Sequence, residues 1–167
     1  MTAMGGDAPQ RHAAPMRRTD RLVTERAAID DVLHRAEVLH LGMTGADGPY
    51  VVPVNFGYDG ERIWIHCAEQ GHKLDLLAAD PRVCFEVCAD VRIVPGRQCG
   101  WGARFRSVVG FGTAALTSDP AEKAYGLGVL ISHYSGESEK ISESKASGVS
   151  VLRIDIASMT GKAYVDE

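Results

Sequence analysis

The stretch Gly48–Leu77, GPYVVPVNFGYDGERIWIHCAEQGHKLDLL, decides how this chain reads. Two short apolar runs flank Asp59-Gly60, a dipeptide suited to a hairpin turn whose two central residues take positive φ. The second run ends at His66 and Cys67, and Lys73 follows at the start of a predicted helix. The expected order is strand, tight turn, strand, glycine-bearing loop, helix. A sheet edge, an imidazole and a lysine near a helix N-terminus are parts that suit a phosphate-bearing cofactor.

Working outward, 167 residues allow one domain with a sizeable core and no need of disulfide or metal staples. Residues 1–15 read as a disordered extension and 16–167 as one domain. A net charge of -4 argues against nucleic acid, whose phosphate backbone calls for a basic surface. No apolar run nears the roughly 18 residues of a membrane span, and no secretory h-region is visible. The four cysteines, Cys67, Cys84, Cys88 and Cys99, contain no C-x-x-C pair. Three of them lie in strand-like apolar runs, which suits reduced, buried thiols and a cytoplasmic protein.

Thr24 is placed to cap a helix over about 25–36, whose Ile29, Val32, Leu33 and Ala36 form one apolar face. Val38–Met43 reads as a strand, closed by turn residues at Gly45, Asp47 and Gly48. After the central stretch, a helix over about 73–79 stops before Asp80-Pro81. Val83, Phe85 and Val87 alternate with Cys84, Glu86 and Cys88 as a strand. Arg104–Leu116 is a long strand with expected glycine kinks at Gly110 and Gly112. Asp119-Pro120-Ala121-Glu122 starts a helix to about Tyr134, with Asp as cap and Pro in the first turn. A polar, Ser-rich stretch over 135–148 and a last strand from Val149 toward Gly161-Lys162 complete the chain. About six strands in antiparallel succession, with some three helices and no βαβ alternation, point to a mainly β barrel with peripheral helices.

Several residues have two readings. Lys73 fits a phosphate contact at a helix N-terminus, or a solvated surface lysine. His66 fits a site imidazole or a structural strand histidine. A metal set from His66, Cys67 and His72 is disfavoured because adjacent strand residues point to opposite faces. Pro53 within Pro53-Val54-Asn55-Phe56 cannot donate a ladder bond, so this strand is an edge or is bulged. Its free backbone groups suit a planar heterocycle or simply an edge. Trp101, Arg104, Arg106 and Ser107 fit the cover of a flat anionic ligand or a dimer seam.

The runs Pro49–Tyr58 and Ile65–Lys73, with its H-x-A-x-x-G-x-K element, resemble those of the pyridoxamine 5′-phosphate oxidase-related flavoproteins. The branch most resembled is the Nim-type 5-nitroimidazole-resistance proteins. Met16-Arg17-Arg18, Asp80–Phe85, Arg106–Gly112 and Glu122-Lys123 extend the resemblance over about residues 16–160. It implies a split β-barrel homodimer binding FMN in clefts between two subunits. It further implies that Lys73 and the Gly71-His72 backbone hold the phosphate, and that the Val54-Asn55-Phe56 backbone faces the isoalloxazine ring. His66 would stand beside the cofactor near a small-molecule substrate, with Ser107 a weaker cofactor contact. The implied activity is flavin-dependent reduction of a nitroimidazole-like or other conjugated substrate. Alternatives are a flavin or haem carrier, with His66 as axial ligand, and a deazaflavin-dependent reductase. A true pyridoxamine phosphate oxidase fits less well, for want of a C-terminal arginine-histidine motif.

Overall fold

The computed structural model describes residues 16–165. The expected N-terminal extension at 1–15 lies outside these residues. In chain order come β1 (Leu22–Val23), α1 (Arg26–Arg35), β2 (Leu39–Gly45), β3 (Gly48–Val54), β4 (Gly57–Tyr58) and β5 (Arg62–Cys67). Then follow α2 (His72–Ala79), β6 (Arg82–Val94), β7 (Gly102–Leu116), α3 (Pro120–Ser135), α4 (Glu143–Ala146) and β8 (Ser150–Tyr164). One antiparallel sheet runs in the order β3-β2-β6-β7-β8-β5-β4, with β1 added beside β8. The fold is the expected split β-barrel with helices around it.

Alternation makes the core. Leu39, Leu41 and Met43 of β2, Val83, Phe85 and Val87 of β6, and Ile63 and Ile65 of β5 turn to one face and are buried. Ile29, Val32 and Leu33 lay one stripe of α1 against them. A fully buried ring such as Phe85 contributes about 1.5–3 kcal/mol by leaving water. Gly110 lets that ring close in, since a Cβ there would lie 2.1 Å from Phe85 Cζ. Kinks are expected at Gly110 and Gly112, and a register irregularity falls between Phe111 and Gly112.

The central stretch departs from a simple hairpin. Its first run breaks at Asn55-Phe56: β3 pairs with β2, while Gly57 and Tyr58 pair with Trp64 and Ile63 of β5. The two halves therefore sit at opposite ends of the sheet order. In the turn, Gly60 has φ +97°, whereas Asp59 does not take positive φ. Instead the Asp59 carboxylate builds the turn. It accepts from Glu61 N (2.9 Å), Arg62 N (2.7 Å), Trp64 Nε1 (2.7 Å) and Tyr125 Oη (3.3 Å).

Other expectations shift for non-local reasons. Thr24 does not cap α1; Glu25 is the cap residue, without a side-chain bond. Leu22 and Val23 pair with Lys162 and Gly161, and this keeps the chain extended up to the helix. Strand β6 runs past Cys88 to Val94 across a bulge at Asp90, whose φ is +57°. At the other end Asp119 does cap α3, accepting from Ala121 N at 3.1 Å, and Gly136 closes it at φ +72°. The cysteines are free but not buried: Cys67 and Cys84 are half-buried, and Cys88 and Cys99 are exposed. Strand alternation turns Cys84 and Cys88 to the outer face, where Cys88 Sγ donates to Glu86 Oε1 at 2.8 Å.

Burial alone would raise the Asp59 carboxyl, but its hydrogen bonds outweigh burial and hold it below its usual value. The stability this adds is present above about pH 4 and is lost as pH falls through the folded-state value. Asp59→Ala leaves the buried Trp64 N–H without its acceptor and should cost about 1–3 kcal/mol, read as a lower urea midpoint. An unchanged midpoint would mean that the turn holds without this carboxylate.

Candidate functional site

Helix α2 begins at Gly71, which has φ +139° and nothing within 4 Å of where a Cβ would stand. No side chain caps it. Leu74 N and Asp75 N both donate to Gly71 O, at 2.8 and 3.2 Å, which leaves the preceding N–H groups outside the helical ladder. These donors, the positive end of the dipole and the Lys73 ammonium suit a phosphate; Asp75 in the first turn opposes it. The His72 ring stands edge-on to Tyr50 of β3, with centroids 4.9 Å apart. That contact sets the helix N-terminus beside the start of β3.

Strand β3 ends the sheet order, so its outer side is unpaired among the described residues. Pro49 and Pro53 stand opposite Thr44 and His40 of β2. Having no N–H, they occupy positions whose backbone turns away from β2. With a period of two, positions 49, 51 and 53 face the open edge, where only Val51 carries an N–H donor, and Asn55 follows just past the strand end. The distance from Tyr50 to Val54 along the strand is roughly 13 Å. The edge thus runs from the phosphate-suited helix end to the Asn55 corner.

Phe56 differs from its neighbours. It is fully buried, and its N–H donates to Tyr134 Oη at 3.1 Å. Tyr134 Oη in turn donates to Glu37 O at 2.8 Å. The next residue back, His133, packs on the Phe56 ring at 4.6 Å and reaches Ala36 O through Nε2 at 2.8 Å. Because a carbonyl only accepts, Nε2 carries the proton. Sequence reading passes over Tyr50, His133 and Tyr134, whose roles come from partners up to 97 residues away. Of the Val54-Asn55-Phe56 backbone, Phe56 N–H is already committed and Val54 is turned toward its β2 partner Leu39, which leaves Asn55 at the end of the open edge.

His66 lies on β5 opposite Val151, exposed on the outer face, with no hydrogen-bond or ring partner among the described residues. Next to it, Cys67 turns inward. Burial pushes its thiol above its usual value, and the charge of Lys73 offsets part of that rise. Trp101 and Ser107 are elsewhere in the same chain. Ser107 pairs with Lys162 and Cys67 with Ser150, so nearly the whole of β8 separates them. Trp101 is 61% exposed beyond the β6–β7 hairpin.

Residues 25–163 match the family described as pyridoxamine 5′-phosphate oxidase. The chain belongs to that family. Among solved structures it is similar to a candidate 5-nitroimidazole antibiotic resistance protein from Bacteroides thetaiotaomicron, with 27% identity and a TM-score of 0.74 over 84% of this chain and 85% of that one. It is also similar to a flavocytochrome from Azotobacter vinelandii, with 22% identity and a TM-score of 0.77 over 96% and 77%. An FAD- and haem-binding protein from Mycobacterium smegmatis shares 22% identity, with a TM-score of 0.73 over 88% and 76%. No curated protein matches. The last two likenesses are likenesses of fold. They agree with the architecture of the family.

Burial pushes the His133 imidazole below its usual value, against its bond to Ala36, and the charge of nearby His34 adds to the shift. The unfolded chain therefore binds more protons below about pH 6.5, and the stability conferred by neutral His133 is lost as pH falls from there toward the folded-state value. Thermal midpoints should drop between pH 7.5 and 5.5, and His133→Gln should flatten that drop. An identical pH profile in the variant would contradict the assignment.

Proposed function

We propose that the chain is a flavin-dependent reductase of small conjugated substrates, with FMN along the α2 end and the β3 edge. The carrying observation is the uncapped α2 N-terminus with Lys73, docked through His72 and Tyr50 against an edge strand left open by its prolines. These residues fit the group: a cationic, donor-rich helix end for phosphate and an extended backbone edge for a flat ring. When bound, the flavin supplies the hydride chemistry, and the chain supplies binding, orientation and exclusion of water.

Lys73 and the His72-Lys73 backbone hold the phosphate, and the Val51 and Asn55 backbone at the open edge faces the ring. His66, exposed and without a hydrogen-bond partner among the described residues, is placed to orient a substrate or give a proton to a reduced oxygen through one imidazole nitrogen. The site has one wall in this chain. A second copy supplies the other, and the exposed Val51, Val91, Ile93 and Trp101, each 60–61% accessible, support such a homodimer. Ser107 and Trp101 would then serve the site across that interface. The likeness to the Bacteroides protein supports nitroimidazole-like molecules as one substrate class. No helix among the described residues is long and apolar enough to cross a membrane, in keeping with a cytoplasmic reductase. A haem or deazaflavin in place of FMN is the competing reading.

Lys73→Ala should weaken FMN binding by about 1.5–3 kcal/mol, the worth of a hydrogen bond to a charged group, which is roughly 10- to 150-fold in Kd by flavin fluorescence titration. His66→Ala should keep FMN affinity and lose substrate reduction. Unchanged affinity in the first variant and unchanged turnover in the second would overturn the assignment of roles.

A further inference from the structure

A cavity of about 630 Å³, with no α2 residue in its lining, lies where α3 meets His34 of α1, Tyr58 of β4 and the segment before α4. Its volume falls within the range of small-molecule pockets, roughly 300–1,000 Å³. Ala121, Ala124, Gly128 and Ser132 form its floor at helical spacing, over about 17 Å of helix axis. None of these side chains extends more than one heavy atom beyond Cβ, so they leave the helix surface low between the bulkier Tyr125, Val129 and His133, which also line the cavity. His34, Tyr58 and Tyr125 give it ring-bearing sides, and Lys140 and Ile141 of the segment before α4 stand opposite. A Cβ at Gly128 would lie 2.7 Å from Glu139 O, so this segment sits directly on the helix there.

The polar groups on the β4 side are already satisfied. Tyr58 Oη donates to Asp30 Oδ1 (2.6 Å) and accepts from Arg26 Nη2 (2.7 Å). The Asp59 carboxylate is taken up by its turn, by Trp64 and by Tyr125. What these residues offer the cavity is ring face and apolar edge, not charge. On the opposite side Glu139 and Glu143 flank Lys140, a small acidic excess that disfavours an anionic occupant. Ser132 has a hydroxyl for one directional bond.

We propose that this trough is a second small-molecule site, taking an uncharged planar aromatic or heteroaromatic compound that lies flat on α3 between the rings. It shares no residue with the α2 and β3 site, and its case is independent of the flavin reading. His133 borders the trough and also packs on Phe56, so an occupant would lie one side chain from the Asn55 corner.

The test is a fluorescence titration of the full chain with N-phenyl-1-naphthylamine, an uncharged aromatic dye that brightens in apolar sites. The expected result is one saturable site per chain, unaffected by saturating FMN and by added salt. Ala121→Phe and Ser132→Phe, which fill the floor from its two ends, should each weaken the dye at least tenfold, with circular dichroism and melting temperature showing a folded chain. Ala121 is exposed, so that variant keeps the test sound if Ser132→Phe does not fold. Equal dye affinity in the folded variants, non-saturating binding, or displacement of the dye by FMN would each overturn the proposal.

Discussion

One hydrogen bond organises the rest: Phe56 N–H to Tyr134 Oη, with the same oxygen donating on to Glu37 O. It fixes the corner at which the chain leaves β3, on one edge of the sheet, and starts β4, at the other end of the strand order. A buried N–H needs a partner, and here the partner comes from the last turn of α3. The helix is thereby tied to the barrel at both ends of its length. At its start Tyr125 reaches Asp59, and in its middle Gly57 and Gly126 allow contact so close that a Cβ would lie 2.6 Å from Leu130 and 2.4 Å from Trp64. The split in the barrel is a fixed corner with a helix packed over it.

Two surfaces follow from that corner. On one side β3 keeps its outer edge open, and Pro49 and Pro53 leave Val51 as the one N–H donor facing out within the described strand. Such an edge is poorly suited to pairing with a whole strand and well suited to a small flat ligand. The α2 end sits at the start of this edge because His72 rests on Tyr50. On the other side, behind Phe56 and His133, lies the trough on α3. The flavin assignment belongs to the first surface and the second-site proposal to the other.

Local chemistry was readable in the sequence and distant partners were not. Asp119, Pro120 and Glu122 mark the start of α3 because a cap is decided within one turn. Gly71 and Lys73 mark the α2 end for the same reason. Thr24 misleads because β1 is held by β8 from the far end of the chain. The run from Pro49 to Tyr58 reads as one strand because its apolar residues continue. Only Tyr134, 78 residues away from Phe56, shows where it breaks. Alternation also told which residues line the barrel, but not that the face bearing Cys84 and Cys88 stays open to solvent. The family resemblance carried the fold and grouped Lys73 with the β3 edge. It could not show that one residue of the expected ring-facing backbone, Phe56, already spends its N–H elsewhere.

The central claim is that this chain carries a flavin, and the absorption spectrum of freshly purified full-length protein tests it most directly. The account predicts the two-banded visible absorption of an oxidised flavin, bleached on reduction, with FMN released on denaturation and identified by mass. A Soret band, or a colourless protein that takes up no flavin in titration, would contradict it.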